Sequence, residues 1–429
     1  MSGRPPDRRV DVSLPDAFPP QEIRSLDLPE LVPVALPMPA VAIDDPRAAA
    51  RDALGSALRD LDLNGARVAL ALGSRGLGRY RDLVAGALDA LRAVGARPLL
   101  VPAMGSHGGG TPEGQTEVLR EYGLLDLGAE VDANDATREV GRSRGGTPLH
   151  ASEVALAADA LVVLNRVKPH TGFRGEIESG PSKMLVVGLG KRSGAAALHA
   201  LGYDGFAERL RTARDALLQV YPPVLGLAVV EDAAGRPAHV EAIPGGALRT
   251  REPELLREAR AAMPRLPFEK LDVLVIDRAG KDVSGLGMDP NVTGRHPSGL
   301  REPPDPTRIA WLSLTEGSAG NANGMGFADL VPRSLVEQID PVATWTNGLT
   351  STLLPAARMP MVAPDAATCV RMALATCGAP PERARLAWIG DTEHLERFRV
   401  SRAALDEARR IGAELVERGP AEPAWAGGA

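Results

Sequence analysis

Three glycine-rich segments carry side chains that could bind and deprotonate a small acid. The segment "GSRGLG" contains Arg75, "GSHGGGTPEG" contains His107, and "KPHTG" contains His170. An imidazole with a pKa of about 6.5 can pass protons at neutral pH, and a guanidinium can hold a carboxylate through two parallel hydrogen bonds. Each residue taken alone could equally be a solvated loop side chain, so this chemistry is expected only if the three segments meet.

Strand patterns before the three segments predict that they do meet. Short apolar runs typical of buried strands precede them, at residues 66–72, 96–103 and 158–165. Helical patterns alternate with these runs, which predicts an α/β domain with a largely parallel sheet. Loops that leave the carboxyl ends of parallel strands lie at one edge of the sheet, where ligands bind. We therefore expect Arg75, His107 and His170 to converge there.

A second set of strand and helix patterns follows a proline-bounded linker near residue 266. The strand patterns lie at 271–280, 308–314 and 383–391, and the helical patterns lie near 325–340, 365–377 and 402–417. A chain of 429 residues is also too long for one ordinary core. We predict two α/β domains with largely parallel sheets and a cleft between them. The predicted parts are a poorly ordered N-terminal segment (1–24), a cofactor-binding domain (25–266), a second domain that closes the substrate cleft (267–417) and a disordered tail (418–429).

Composition excludes several classes of function. The net charge of −6 and the aromatic content of 3% argue against a nucleic-acid binder. No apolar stretch approaches the roughly 20 residues of a membrane helix, and the N-terminus lacks the apolar core of a secretory signal. Cys369 and Cys377 lie about 12 Å apart along one predicted helix, too far for a disulfide. We expect a cytoplasmic protein with a small-molecule substrate and no nucleic-acid or membrane partner.

The segment "KMLVVGLGKRSGAAALHALG" contains Lys183 and His199, and its pattern is that of a strand and loop opening a helix. Its glycines come close to a dinucleotide fingerprint, but one residue too many precedes the third glycine. The P-loop spacing fails as well, because an arginine follows Lys191. Lys183 could be a covalently reactive or anion-binding amine, or a surface lysine. A lone histidine in a helix, such as His199, is more often a packing residue than a ligand.

These segments resemble one known family: the nickel-pincer nucleotide-dependent lactate racemases and their 2-hydroxyacid racemase and epimerase relatives. The likeness covers most of the chain in organisation. It is most specific at the Arg75 loop, at "GSHGGGTPEG", at "KPHTG", and in the spacing between Lys183 and His199.

The resemblance implies a role for each of these residues. Lys183 would carry the nickel-pincer nucleotide, a pyridinium-3,5-bisthiocarboxylic acid mononucleotide nickel complex, in covalent linkage. His199 would be the protein ligand of the nickel, a reasonable partner for a square-planar Ni(II) site. His107 and His170 would be the acid/base residues, and Arg75 would bind the substrate carboxylate. Further cofactor contacts are implied for Ser74, Gly105 and Gly188.

The implied activity is racemisation or epimerisation of a 2-hydroxy acid. Removing its α-hydrogen as hydride avoids a carbanion beside the carboxylate, while a histidine takes the hydroxyl proton. Two histidines supply a base for each configuration. In this chain His107 is followed by Gly108 where the lactate enzymes usually have an arginine, and the stretch from His170 to Lys183 is longer. Both departures favour a larger or differently charged 2-hydroxy acid than lactate. The cofactor-biosynthesis proteins that such enzymes need are expected partners.

The second domain is expected to add substrate contacts. Its segment "GKDVSGLGMDPNVTGR" is a long polar loop after a strand, and such loops are often functional. We predict that Lys281 or Arg295 contacts the substrate. Trp345 resembles a substrate-contacting tryptophan of the family, although packing in a core would also explain it.

Two other classes of function remain open, as does the oligomeric state. An NAD-dependent 2-hydroxyacid dehydrogenase would use "VVGLGKRSG" and would leave Lys183 and His199 without roles. A non-catalytic protein that binds a nucleotide or carboxylate would tolerate the loss of His107 or His170.

Overall fold

The computed structural model describes residues 10–38, 41–74, 77–410 and 412–417. The chain forms two compact units. The first unit runs from Pro39 to Met263, and the second combines the chain up to Met38 with the part from Pro264 onward. Each unit is built on a large sheet with interspersed helices, so the predicted fold class of two α/β domains with largely parallel sheets is confirmed.

The strands and helices of the described residues have the following bounds. The strands are β1 (Leu31–Ala35), β2 (Arg67–Leu72), β3 (Arg97–Pro102), β4 (Glu130–Val131), β5 (Thr137–Arg142), β6 (Pro148–Ser152), β7 (Ala160–Arg166), β8 (Val224–Glu231), β9 (Pro237–Pro244), β10 (Val273–Ala279), β11 (Arg308–Leu314), β12 (Leu330–Pro332), β13 (Met361–Ala363), β14 (Leu386–Ile389), β15 (Arg397–Ser401) and β16 (Glu414–Leu415). The α-helices are α1 (Gln21–Arg24), α2 (Pro46–Leu58), α3 (Tyr80–Ala93), α4 (Pro112–Glu121), α5 (Glu153–Leu156), α6 (Pro181–Lys183), α7 (Lys191–His199), α8 (Phe206–Leu217), α9 (Leu248–Ala262), α10 (Pro290–Thr293), α11 (Arg333–Val336), α12 (Pro341–Thr350), α13 (Ala366–Thr376) and α14 (Arg402–Arg410). A π-helical turn spans Met184–Gly188, and short 3₁₀ turns span Gly108–Gly110, Leu125–Leu127, Gly245–Ala247, Glu316–Ser318, Met325–Phe327, Leu354–Ala357 and Pro381–Arg383.

The sheet of the first unit has the strand order β4-β3-β2-β7-β8-β9. Neighbouring strands from β4 to β8 are parallel, and β9 pairs antiparallel with β8. Successive side chains of a strand point to opposite faces. In β2, Leu70 and Leu72 accordingly join a core with α2 and α3, while Ala69 and Ala71 join a core with α7 and α8. Covering both faces in this way explains why the parallel strands read as nearly continuous apolar runs.

The three strands that precede Arg75, His107 and His170 are neighbours in this sheet. Leu72, the last residue of β2, pairs with Pro102 of β3 and with Leu164 of β7. Because these strands are parallel and end side by side, the loops that follow them leave the sheet at the same edge.

The strand predicted after Lys183 is wrong, because this part of the chain is helical. Helix α6, the π-helical turn and α7 follow one another almost without interruption. Met184 and Leu185 pack into the core shared with α8. A short apolar run has the same pattern in a buried helix as in a buried strand. Here Pro181 occupies the first helical turn, a position that proline favours.

The sheet of the second unit has the strand order β13-β12-β11-β10-β14-β15-β1-β16. The five strands from β13 to β14 are parallel, and the remaining pairings are antiparallel. The strands predicted at 271–280, 308–314 and 383–391 are confirmed as β10, β11 and β14. The helix predicted near 325–340 is wrong in part, because β12 lies within it and pairs with β11 and β13.

Residues 10–38 contribute to the second unit. Strand β1 pairs antiparallel with β15, and Phe18 and Ile23 pack against the core of the second unit. This differs from the predicted division, which placed residues 1–24 in a poorly ordered segment and 25–266 in the first domain. A local sequence pattern does not show a pairing with a strand near the other end of the chain. The predicted tail over 418–429 lies outside the described residues.

Helix α13 and the residue after it carry the two cysteines. Cys369 and Cys377 are free, as their spacing predicts, and both are buried. No helix in the described part of the chain is both long and apolar enough to cross a membrane.

Candidate active site

A hydrogen bond between Ser74 and His107 joins the loops that follow β2 and β3. It links Ser74 Oγ with His107 Nδ1. The Tyr122 hydroxyl donates to Ser74 O at 3.3 Å, and the Tyr80 hydroxyl donates to Gly73 O at 3.2 Å. A hydroxyl can donate or accept, so the bond is compatible with either tautomer of His107.

Arg75, the next residue of the β2 loop, lies outside the described residues. Its contact with a substrate carboxylate stays a prediction.

Two glycines let the β3 loop approach the Lys183 segment closely. Gly105 N donates to Gly188 O at 3.2 Å, and Gly105 has a φ of +59°. A Cβ on Gly188 would lie 2.5 Å from Ala103 O. Gly188 therefore has no room for a side chain, and the left-handed backbone of Gly105 favours glycine. The contacts of Ser74, Gly105 and Gly188 with a cofactor stay predictions.

His170 lies in a loop organised around a buried carboxylate. The Glu178 side chain has no exposed surface, and it accepts from His170 N at 2.5 Å and from Gly175 N at 3.0 Å. Arg174 lies 3.6 Å from this carboxylate, and Arg260 forms a second ion pair with it. The long stretch between the predicted base and the predicted cofactor lysine is thus an ordered turn with its buried charge neutralised.

Backbone contacts give His170 and His199 opposite tautomers. His170 Nδ1 accepts from Gly172 N at 2.9 Å, so in the neutral ring Nδ1 has the lone pair and Nε2 carries the hydrogen. His199 Nδ1 lies 2.7 Å from Ala195 O. A carbonyl oxygen only accepts, so here Nδ1 carries the hydrogen and Nε2 has the lone pair.

The surroundings of His199 favour its neutral form. Burial lowers its pKa, and the positive charges of Lys183 and Arg209 lower it further, against the opposing effect of the hydrogen bond to Ala195. A neutral imidazole whose other nitrogen donates to a carbonyl is the form that binds metals in proteins. The described residues contain no cluster of three or more His, Cys, Asp or Glu side chains that could hold a metal ion.

An aromatic cluster connects His170 with His199. The centroid of the Tyr203 ring lies 6.3 Å from each imidazole. Phe173 lies 4.5 Å from His170, and Phe206 lies 5.0 Å from His199 and 4.6 Å from Phe173. The loop after β7 and the end of α7 therefore share one surface in the first unit.

A buried acid holds the start of the helical segment that carries Lys183. Glu252 of α9 is only 1% exposed, and its carboxyl accepts from Ser182 N at 3.2 Å and from Ser182 Oγ at 2.5 Å. Burial raises the pKa of Glu252 to about 7, although the hydrogen bonds from Ser182 and the charge of Arg214 oppose this. Glu252 thereby fixes the residue directly before Lys183.

The sequence patterns did not single out Glu178, Glu252 or Tyr203. An acidic residue in a loop or helix ordinarily indicates a solvated surface. The one available signal was proximity in sequence, since Glu178 and Tyr203 each lie within a few residues of a predicted site residue.

In the second unit, the three predicted substrate contacts differ in their surroundings. Lys281 Nζ donates to Gly285 O at 2.6 Å. Arg295 is buried, forms an ion pair with Asp329 at 2.7 Å and donates to three backbone carbonyls, which explains its position without a substrate. Trp345 is 56% exposed on α12, so the alternative that it packs in a core is wrong. The substrate contacts of Lys281, Arg295 and Trp345 stay predictions.

The glycines of "GLGKRSG" lack the context of a dinucleotide fingerprint. Such a fingerprint follows a strand and opens a helix. Here a π-helical turn precedes it instead. The structure therefore gives no support to a dehydrogenase that binds NAD through this segment.

Comparison with solved structures shows a likeness to a lactate racemase. The lactate racemase apoprotein from Thermoanaerobacterium thermosaccharolyticum is 13% identical, with a TM-score of 0.54 over 86% of this chain and 99% of that chain. A protein from Thermotoga maritima is 14% identical, with a TM-score of 0.48 over 64% of this chain and 72% of that chain. The likeness to the racemase is one of fold. No family model matches the sequence, and no curated protein matches it.

Because the pKa of the buried Glu252 carboxyl is raised, we predict that the free energy of unfolding falls as the pH rises. Its pKa is raised in the folded state, so the folded chain binds more protons between the ordinary value of 4.5 and about 7. The contribution is present at low pH and is lost as the pH rises through about 7. Urea unfolding between pH 5 and 8 should show a steeper decline for the wild type than for Glu252→Gln, by up to roughly 3 kcal/mol. The exposed Glu121→Gln should follow the wild type, and parallel curves for all three proteins would contradict this assignment.

The backbone contacts predict opposite tautomers for two histidines in solution. In ¹⁵N spectra of histidine-labelled full-length protein without added cofactor, His170 should appear as the Nε2–H form and His199 as the Nδ1–H form. Each signal is assigned by its loss in the corresponding glutamine variant. The same tautomer for both residues would show that these contacts do not hold in solution.

Proposed function

We propose that the protein is a racemase or epimerase of a 2-hydroxy acid that uses a nickel-pincer nucleotide linked to Lys183. The observation that carries the proposal is the geometry of His199: its Nδ1 lies 2.7 Å from Ala195 O, so the lone pair of the neutral ring is on Nε2. Burial and the charge of Lys183 lower the pKa of this imidazole. A fold shared with a lactate racemase apoprotein supports the same choice.

The first unit has residues that fit such a cofactor. Lys183 is partly buried and supplies an amine for covalent linkage, and its charge acts on His199. His199 Nε2 would ligate the nickel, since a carbonyl already orients the ring through the other nitrogen. When bound, the group supplies an electron-poor centre that accepts the α-hydrogen of the substrate together with its bonding electrons.

His107 and His170 would accept and return the proton of the substrate hydroxyl. His107 is exposed, and because its bond to Ser74 permits either tautomer, it can accept that proton and return it. His170 starts with a hydrogen on Nε2, so it first donates a hydrogen bond to a substrate oxygen. It can accept a proton at Nε2 only in the other tautomer, which requires the bond from Gly172 N to open and the ring hydrogen to pass from Nε2 to Nδ1. Arg75 would hold the substrate carboxylate.

Loading of the cofactor gives the first test of this function. The protein is co-expressed with a cofactor pathway that loads another member of the family, and its intact mass and nickel content are measured. We expect an adduct on Lys183 and about one nickel per chain, as one imidazole ligand per cofactor implies. Lys183→Ala should lose the adduct, whereas His199→Ala should keep the adduct and lose nickel. Lys270→Ala, at an exposed lysine of the second unit, should load like the wild type.

Each variant of this experiment can overturn one assignment. An adduct that persists in Lys183→Ala would move the attachment to another residue. Unchanged nickel in His199→Ala would remove the ligand assignment. An unmodified wild-type chain without nickel would favour a non-catalytic protein that binds a nucleotide or carboxylate.

Removal of either proton-handling histidine gives the second test. His107→Ala and His170→Ala should each slow interconversion of the two configurations by about 100- to 10,000-fold, the usual contribution of a positioned acid or base. Chiral chromatography over a panel of 2-hydroxy acids measures the rates. His239→Ala, on β9, is the matched control and should retain the wild-type rate. If either test variant interconverts the substrate as fast as the wild type, the two-histidine scheme is wrong.

A further inference from the structure

The Lys191 side chain is an amine enclosed in the first unit. Lys191 is 1% exposed, and its Nζ donates to Pro102 O at 2.6 Å and to Gln115 Oε1 at 3.3 Å. These acceptors are neutral oxygens, so the buried charge lacks the compensation of a close ion pair. Burial lowers the pKa of Lys191 to about 8, against the distant carboxylates of Asp132 and Asp135. Burying such an amine is costly, so the bonds it makes are expected to have a role in the structure.

Gln115 transmits the contact of Lys191 to the turn that contains His107. Gln115 is also 1% exposed, and its Nε2 donates to Gly105 O at 3.1 Å and to His107 O at 3.3 Å. An ammonium only donates and a carbonyl only accepts. Lys191 on one side and the two carbonyls on the other thus allow the Gln115 amide a single orientation.

The same lysine lies at the junction of three elements. Pro102 is the last residue of β3, Gln115 lies on α4, and Lys191 is the first residue of α7, the helix that ends at His199. The backbone of Lys191 has a φ of +51°, a left-handed conformation that is uncommon for a residue other than glycine. Such a conformation persists where the surrounding contacts determine it strongly.

We propose that Lys191 and Gln115 are positioning residues that hold the backbone of His107 in a fixed place relative to α7. They orient the imidazole of His107 through its own main chain and do not touch the substrate. Their importance for catalysis rests on the proposed function, whereas their effect on the turn does not.

Local hydrogen exchange tests the structural part of the proposal. In full-length Lys191→Met, methionine fills a similar volume and cannot donate to Pro102 O or Gln115 Oε1. Amides of residues 103–110 should exchange at least about 10-fold faster than in the wild type, while those of β2 and β7 keep their protection. Lys270→Met makes the same chemical change at an exposed site and should leave the exchange of residues 103–110 unchanged. Equal acceleration throughout the first unit would indicate a general loss of stability and would overturn the proposal.

A second variant keeps the test independent of how well Lys191→Met folds. Gln115→Met removes the bonds to Gly105 O and His107 O and should accelerate exchange of the same residues. Because both side chains act through one network, the double variant should change exchange no more than the stronger single variant. If the fold-changes of the two single variants multiply in the double variant, the side chains do not act together on this turn. Wild-type exchange of residues 103–110 in Gln115→Met would show the same.

Kinetics of the loaded enzyme test the link to catalysis. Misplacement of His107 should lower kcat by roughly 100-fold and change KM far less, because the substrate still binds while its proton acceptor is displaced. A higher KM with an unchanged kcat would overturn a positioning role. If neither wild type nor variants act on any 2-hydroxy acid, the proposed function fails, and the exchange result still decides whether Lys191 and Gln115 hold the turn.

Discussion

The parallel register of β3, β2 and β7 is the constraint on which the candidate site depends. Neighbouring strands lie about 4.8 Å apart, so loops leaving three adjacent strand ends are close together before any side-chain contact forms. A shift of β2 by one residue would exchange Leu70 and Leu72 with Ala69 and Ala71 between the two cores. Packing of apolar side chains on both faces opposes this shift. The position of Ser74 next to His107 therefore depends largely on apolar packing in the two cores, away from the candidate site.

Register brings the loops together, and buried polar side chains then give each loop its shape. Glu178 binds two backbone amides of the His170 loop, Glu252 binds the residue before Lys183, and Gln115 binds two carbonyls of the His107 turn. Glycine-rich loops have few side chains of their own to fix them, and buried backbone groups require partners. A buried charge contributes little net stability in general. In this protein the three buried side chains are better understood as selecting one conformation for each loop.

Strand register and buried polar contacts differ in how well the sequence predicts them, and this difference decides how much of the site could be predicted. Strands and their parallel arrangement follow from local patterns, as β2, β3 and β7 illustrate. The helical run at Met184 could not be distinguished from a strand because four apolar residues fit both. The pairing of β1 with β15 joins distant parts of the chain, and no local pattern reports it. The bonds from Gln115 to Gly105 O and His107 O are closer in sequence, but nothing in a helical pattern distinguishes a glutamine that makes such bonds from a solvated one. Histidines in glycine-rich loops were visible as candidates, whereas the buried residues that orient them resemble ordinary surface residues in sequence.

The tautomers show why the identity of a residue does not by itself determine its chemistry. His170 accepts from an amide, His199 donates to a carbonyl, and His107 is bonded to a hydroxyl that can do either. The first arrangement presents an N–H at Nε2, the second presents a lone pair there, and the third allows exchange between the two. A metal requires the lone pair, and a proton acceptor must be able to change its state. The roles proposed for His199 as a ligand and for His107 as a proton acceptor therefore agree with the neighbouring donor or acceptor of each ring. Two of the three neighbours are main-chain groups, so the helix and loop geometry that the fold imposes also sets the tautomers of otherwise identical side chains.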